Sequence, residues 1–198
     1  MARYRRIARG ELPEETSALA RALVGCVLVR DCPDGIAAGR IVESEAYVLD
    51  DPASHAFLGM RARNASMFLR PHHAYVYQIY GTSYCVNVTS EREGTGAAVL
   101  LRALEPIEGL SIMERRRKTQ AVRGLCRGPG RLCQAMAIDK RLDGVDLLCD
   151  RRLWLSPRTA AVQLGTSTRI GVAKASERVL RFYEVGSPFV SGPRRLST

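Results

Sequence analysis

The chain has 198 residues and 46% hydrophobic content, which favours one globular domain with a proper core. No apolar stretch is long enough to span a bilayer, Met1-Ala2-Arg3 does not begin a signal peptide, and the six cysteines form no C-x-x-C pair, so the expectation is a soluble cytoplasmic protein with reduced, buried thiols and no structural zinc. The balance of 30 Lys+Arg against 20 Asp+Glu leaves a charge of +10, nearly all from arginine, the better phosphate fork. Pro13–Val24 reads as a helix opened by proline and glutamates and closed by Gly25, with Ala18, Leu19, Ala22 and Leu23 as its stripe. Cys26–Arg30 and Ala37–Tyr47 read as strands around a Pro33-Asp34-Gly35 turn. Asp51-Pro52 suits the cap and first position of a short helical turn holding Ser54 and His55. Tyr75–Asn87 reads as a hairpin turned at Gly81-Thr82-Ser83. Ala97–Leu104 is a buried strand. Pro106 is expected to start a helix with Ile107, Leu110 and Met113 inward, and Gly128-Pro129-Gly130 to open another carrying Leu132, Cys133 and Met136. Arg151–Leu155 and Arg181–Val185 complete the strand candidates, and Gly186-Ser187-Pro188 makes a late turn. The order is mixed, not a regular βα alternation. It predicts an α+β fold: a single compact domain over residues 1–198, with a curved, largely antiparallel sheet, flanking helices and a protruding β-hairpin. Residues 1–10 form a basic N-terminal segment and 192–198 a short tail.

The hairpin is the most informative segment. Four of the seven tyrosines lie in it: Tyr75, Tyr77, Tyr80 and Tyr84. Period two puts Tyr75, Tyr77 and Ile79 on one face and Val76, Gln78 and Tyr80 on the other. Rings on opposite faces of a cationic protein suit stacking on bases beside a backbone-binding surface, although half-buried core tyrosines give the same pattern. The charge is also clustered. Arg115–Arg131 holds seven basic residues and no acidic one, and Arg3, Arg5, Arg6 and Arg9 crowd the N-terminus. A nucleic-acid partner fits this, and so does a solvated basic face.

Ile41–Tyr47 (IVESEAY) aligns Ile41, Glu43, Glu45 and Tyr47 by strict alternation. Two carboxylates beside a ring belong either to a solvent-facing edge or to a site that activates water. His55 follows ten residues after Glu45 and serves either as a structural hydrogen-bonder or as part of that site. Arg102 interrupts the apolar strand VLLRALEP. A buried guanidinium needs a carboxylate, and Glu45 or Glu43 would serve. Gly128-Pro129-Gly130-Arg131 offers a small phosphate site at a helix start, without the pattern of nucleotide hydrolases. No metal-binding motif is present among three histidines.

Seven blocks in order, namely IVESEAY, DPASHA with its preceding Asp, RNASMF, Ala74–Asn87, LLRALEP, LCRGPGRLCQAMAI and RFYEVGSPFVS, resemble the alkyladenine (3-methyladenine) DNA glycosylase family of the mammalian-type fold. The resemblance runs from about Glu11 to Ser191. It implies a monofunctional enzyme of base excision repair that flips alkylated or deaminated purines from double-stranded DNA and hydrolyses the N-glycosidic bond. By the same resemblance Glu45 is the general base and Arg102 positions it and its water. Tyr47, His55 and Tyr77 sandwich the flipped base, Asn87 disfavours guanine's exocyclic amine, and Tyr80 wedges into the duplex. Arg63, Gly128 and Arg131 lie along the DNA backbone. The resemblance also implies no metal or cofactor, no membrane and a monomer. Thr82 replaces a common methionine beside the wedge, Arg61-Ala62 a usual Thr-Pro, and Arg70–His73 a glycine-containing lead into the hairpin. These departures bear on substrate range and grip on DNA. Two other classes compete: a non-enzymatic nucleic-acid-binding module, which leaves Glu45, His55 and Arg102 together unexplained, and a metal-dependent nuclease, which EDTA would silence.

Overall fold

The computed structural model describes residues 4–79 and 81–192. Eight strands form one antiparallel sheet: β1 (Val27–Cys32), β2 (Gly35–Tyr47), β3 (Ala74–Ile79), β4 (Ser83–Thr89), β5 (Ala98–Glu108), β6 (Leu153–Ser156), β7 (Leu164–Ser167) and β8 (Arg181–Glu184). The order is β3-β4-β5-β2-β1-β6, and β8 joins the far half of β2 and carries β7. β7 carries no strong strand signal in the sequence. Among the described residues the α-helices are α1 (Thr16–Leu23), α2 (Leu110–Arg117) and α3 (Pro129–Ala135). The Glu15 carboxylate caps α1 by accepting from the amides of Ser17 and Ala18. None of these helices is long and apolar enough to cross a membrane.

The sheet has two unlike faces. One buries Leu28, Ile41, Val76, Val86, Leu101 and Leu104 against Leu19 and Leu23 of α1, Met113 of α2 and Leu132 of α3. This is the main core, and its alternation along β3 and β4 is what two-residue periodicity demands. The other face carries three smaller clusters, Val27–Val29–Ala38–Trp154, Val42–Ala103–Val190 and Met67–Tyr75–Ala98. The functional side chains gather there. β4 pairs with β5 only from Asn87 to Thr89, so the β3–β4 hairpin projects past its neighbour.

Strict alternation along β2 is corrected at one point. Ile41 lies in the main core, while Glu43 and Glu45 face the other way. The β2–β5 register slips between Ile41 and Glu43, where Val42 has no partner, and again between Glu43 and Ser44, where Arg102 has none. Each slip adds one residue to one strand, and the extra residue shifts the side-chain phase. The two bulges lie side by side and leave Glu43, Glu45 and Arg102 on one face.

The helix expected from Pro106 is also corrected. Pro106 lies in β5 opposite Gly39, next to another register shift, where proline's missing donor does little harm. The chain turns into α2 at Gly109, whose φ of 75° suits glycine and where a Cβ would collide with the Ile36 carbonyl. Ile107 stays in β5 and is exposed, and in α2 Met113 is buried while Leu110, at its first position, faces solvent. Asp51 caps a turn, not a helix, by accepting from the Ala53 amide at 3.0 Å. The described part of the basic N-terminal segment packs on the protein: Arg5 pairs with Glu11, Arg6 covers the Trp154 ring, and Arg9 pairs with Asp146.

Candidate active site

Glu45 is fully buried and meets three donors. Its Oε2 accepts from Arg102 Nη1 at 3.1 Å and from the Tyr47 hydroxyl at 3.2 Å, and its Oε1 accepts from the Ile170 amide at 2.7 Å. Burial pushes its pKa above the ordinary carboxylate value, opposed by Arg102 and the Ile170 amide. Glu43, two residues away, is held differently. Its Oε1 accepts from Arg102 Nε at 2.9 Å, Arg181 Nε at 2.6 Å and Ser191 Oγ at 2.9 Å, and its Oε2 accepts from the Ser191 amide at 2.6 Å. Arg102 therefore bridges both glutamates. Arg181 extends the cluster, donating to Ser167 Oγ and the Ser191 carbonyl, each at 2.9 Å. Glu43 is a cross-link between strands and the C-terminal segment. Glu45 is a carboxylate with one guanidinium, one phenol and one backbone amide.

A cavity of about 180 Å³ lies beyond Tyr47. A cavity of roughly 150 Å³ already holds a benzene ring, so this one suits a flat aromatic group. Its walls are Tyr47, His55, Tyr75, Tyr77 and Asn87, with Met67, Gly171 and Val172 closing it. His55 and Tyr77 meet edge to face with centroids 4.4 Å apart, and Tyr75 lies 5.3 Å from Tyr77. A hydrogen bond of 2.8 Å between His55 Nδ1 and the Tyr75 hydroxyl fixes the imidazole. Burial and then the Arg63 charge lower the His55 pKa, which leaves the ring neutral at pH 7. Asn87 is fixed by donating from Nδ2 to the Tyr75 carbonyl at 3.0 Å.

The structure thus brings Glu45, Tyr47, His55, Tyr77, Asn87 and Arg102 to one place. Tyr80 lies outside the described residues. Arg63 is exposed beside His55, at the mouth. Gly128 and Arg131 lie apart, at the start of α3, where a Cβ on Gly130 would meet Ser83 of the hairpin at 3.4 Å. Much of the basic run is engaged internally. Arg115 and Arg116 pair with Asp34, Arg117 donates to the Leu125 carbonyl, and Arg127 donates to the Val190 carbonyl.

Sequence reasoning missed Arg169. It is buried, lies over the Tyr47 ring at 4.7 Å, donates to the Ala46 carbonyl at 3.1 Å, and forms a two-pronged pair with Asp51. It holds the Tyr47 ring, and the next residues supply the Ile170 amide and two cavity walls. A lone arginine in an irregular segment carries no periodic signal.

The family model described as methylpurine-DNA glycosylase (MPG) matches residues 11–188. A protein of Mesorhizobium japonicum is 54% identical over 191 residues, covering 96% of this chain and 92% of the relative. One of Paraburkholderia phytofirmans is 50% identical over 189 residues (95% and 89%), and one of Methanoculleus marisnigri is 45% identical over 181 residues (89% and 94%). All three bear the name "Putative 3-methyladenine DNA glycosylase". The match spans the two glutamates, the ring-lined cavity, the hairpin and the segment around Arg169, and the chain belongs to the methylpurine-DNA glycosylase family, a family of DNA glycosylases.

Proposed function

We propose that the protein is a monofunctional DNA glycosylase that extrudes 3-methyladenine, hypoxanthine or ethenoadenine from duplex DNA into the ring-lined cavity and releases the base by Glu45-activated hydrolysis. The purine stacks among Tyr47, His55 and Tyr77, with Asn87 set against a guanine amine and Tyr80 filling the vacated stack. Extrusion costs a few kcal/mol, and each base–ring stack returns roughly 1–3 kcal/mol. Glu45 takes a proton from water as its oxygen attacks C1′ of an oxocarbenium-like sugar. The electrons of the C1′–N9 bond leave with the purine, and an abasic site remains. A purine methylated at N3 is already cationic and leaves as a neutral base, whereas neutral hypoxanthine or ethenoadenine must gain a proton as it leaves. Arg102 holds the Glu45 carboxylate through the reaction.

The observation that carries this reading is Glu45 itself: buried, raised in pKa, joined to the cavity wall through Tyr47, and steered by one guanidinium. The chain has three lysines (Lys118, Lys140 and Lys174), and none lines the cavity, which favours water over an amine as nucleophile. We place the enzyme in the cytoplasm, on the chromosome, as a monomer. The test is base release in EDTA from duplexes carrying one lesion, wild type beside Glu45→Gln. Release should fall about 10²–10⁴-fold in the variant, and the wild-type product should be an alkali-labile abasic site. Full activity in Glu45→Gln, or an enzyme–DNA adduct trapped by borohydride, would refute the mechanism.

A further inference from the structure

Two surface grooves flank the mouth of the cavity and share His55 and Arg63 with each other. The first, of about 450 Å³, runs over Phe57, Leu58, Arg61, Arg63, Val172 and Lys174. It shares Gly171 and Val172 with the cavity, so the two are continuous. The second, of about 480 Å³, holds Tyr84 and Lys140 beyond Tyr77. No carboxylate lines either groove, in a chain with 20 acidic residues.

The cations of the two grooves are not equivalent. Lys140 Nζ is engaged, 2.8 Å from Asp143 and 3.2 Å from the Val76 carbonyl. Among the described residues the side chains of Arg61, Arg63 and Lys174 have no hydrogen-bonded or ion-paired partner, and all three are exposed. Between them lies an apolar floor, with Leu58 71% exposed and Phe57 48%. Unneutralised cations above exposed apolar surface match a sugar–phosphate chain, which has anionic oxygens on one side and an apolar sugar edge on the other. The groove holding Arg61 and Lys174 thus carries three unengaged cations, where the other has Arg63 alone.

We infer that this groove is a subsite for the flank of the damaged strand, where Arg61 and Lys174 each hold a phosphate next to the extruded nucleotide while Phe57 and Leu58 cover the intervening sugar. The inference rests on the glycosylase reading and adds two contact residues to it. Arg61 stands where the family resemblance leads one to expect a threonine, so this grip is the chain's own.

Binding to a lesion duplex is measured over a range of salt for wild type, Arg61→Ala, Lys174→Ala and the double variant. Each lost phosphate contact should flatten the slope of log K against log salt by about 0.9. Arg61→Lys should keep the slope, and Arg151→Ala, exposed and outside both grooves, should match wild type. A scan of neutral methylphosphonates along the damaged strand locates the contact. Substitution at the held phosphate should weaken wild type but not the variant lacking its cation, a double-mutant coupling. Slopes equal to wild type in both single variants, or no coupling at any position, would overturn the subsite. Base release by the wild-type preparation separates the outcomes: if release occurs and the slopes do not change, only the subsite fails, and if no lesion is released, the glycosylase reading fails first.

Discussion

Glu43 and Glu45 lie two residues apart on one strand, are equally buried, and share Arg102, yet their substitution by glutamine should have opposite consequences. Glu43 is enclosed by two guanidinium groups and both donors of Ser191. Glutamine there leaves Arg181 without a countercharge and Arg102 with Glu45 alone, and it turns an N–H toward one of these donors. Breaking a buried pair in this way costs about 3–5 kcal/mol. With an unfolding entropy of about 2.1 cal/mol/K per residue over this chain's length, that is a fall in Tm of roughly 7–12 °C. At Glu45, glutamine removes a charge that burial already disfavours. The loss is one hydrogen bond, about 1–2 kcal/mol, and the relief from burying a charge offsets part of it, so Tm should fall by less than about 4 °C. The order reverses in single-turnover base release, where Glu45→Gln is the more damaging at a temperature at which both variants are folded. Thermal unfolding by circular dichroism and release kinetics on the same preparations decide the matter. A Glu45→Gln protein as unstable as Glu43→Gln, or a Glu43→Gln protein that is folded and the less active of the two, refutes the assignment.

Three further outcomes follow from the same geometry. Glu45 must be ionised to take a proton, and burial raises its pKa, so the acid limb of kcat/KM should lie above the ordinary carboxylate range and vanish in Glu45→Gln. The same raised pKa means the fold binds the Glu45 proton more tightly than the unfolded chain does. Wild type should therefore lose stability relative to Glu45→Gln as pH rises from the unfolded carboxylate value through the folded one, and a gap that does not change between pH 4 and pH 8 in denaturant unfolding would contradict this. Because Arg63 adds to burial in lowering the His55 pKa, Arg63→Ala should raise it, read by NMR titration of the imidazole; a pKa that stays put would separate the two groups electrostatically. Tyr77→Ala should weaken binding to a lesion duplex by about 5–150-fold, the equivalent of one stacked base, while binding to undamaged duplex holds.

The sequence showed most of the site and part of its scaffold. Alternation along the hairpin separates Tyr75 and Tyr77 from Val76, because a half-buried strand must sort rings and aliphatics between two environments. The same rule fails at Ile41, since a bulge adds a residue without marking itself in the residue types. Arg102 was legible as a paired charge, but the choice between its two glutamates was not. Arg169, Arg181 and Ser191 were invisible for one reason: their partners on β2 or beside it lie more than a hundred residues away in the chain. Charge counting pointed to the DNA partner but was blind in a different way. It sums cations without saying which the fold consumes, and Arg5, Arg9, Arg115 and Arg116 are all consumed by carboxylates.

On the proposed mechanism, what separates a structural carboxylate from a reactive one on this strand is its cation count. Residue type, burial and neighbouring sequence are alike at Glu43 and Glu45. Each accepts from a hydroxyl and an amide, but Glu45 meets one guanidinium and Glu43 meets two. The paired bulges in β2 and β5 put Arg102 between the two glutamates so that its Nε serves one and its Nη1 the other. The second guanidinium on Glu43 comes from β8, where Arg181 stands opposite Glu45 in the register and donates to Glu43. A substitution that restored regular pairing at Val42 or Arg102 would shift the side-chain phase of one strand and pull the shared guanidinium away from Glu45. The irregularity in the sheet is thus the feature that ties both glutamates to one guanidinium.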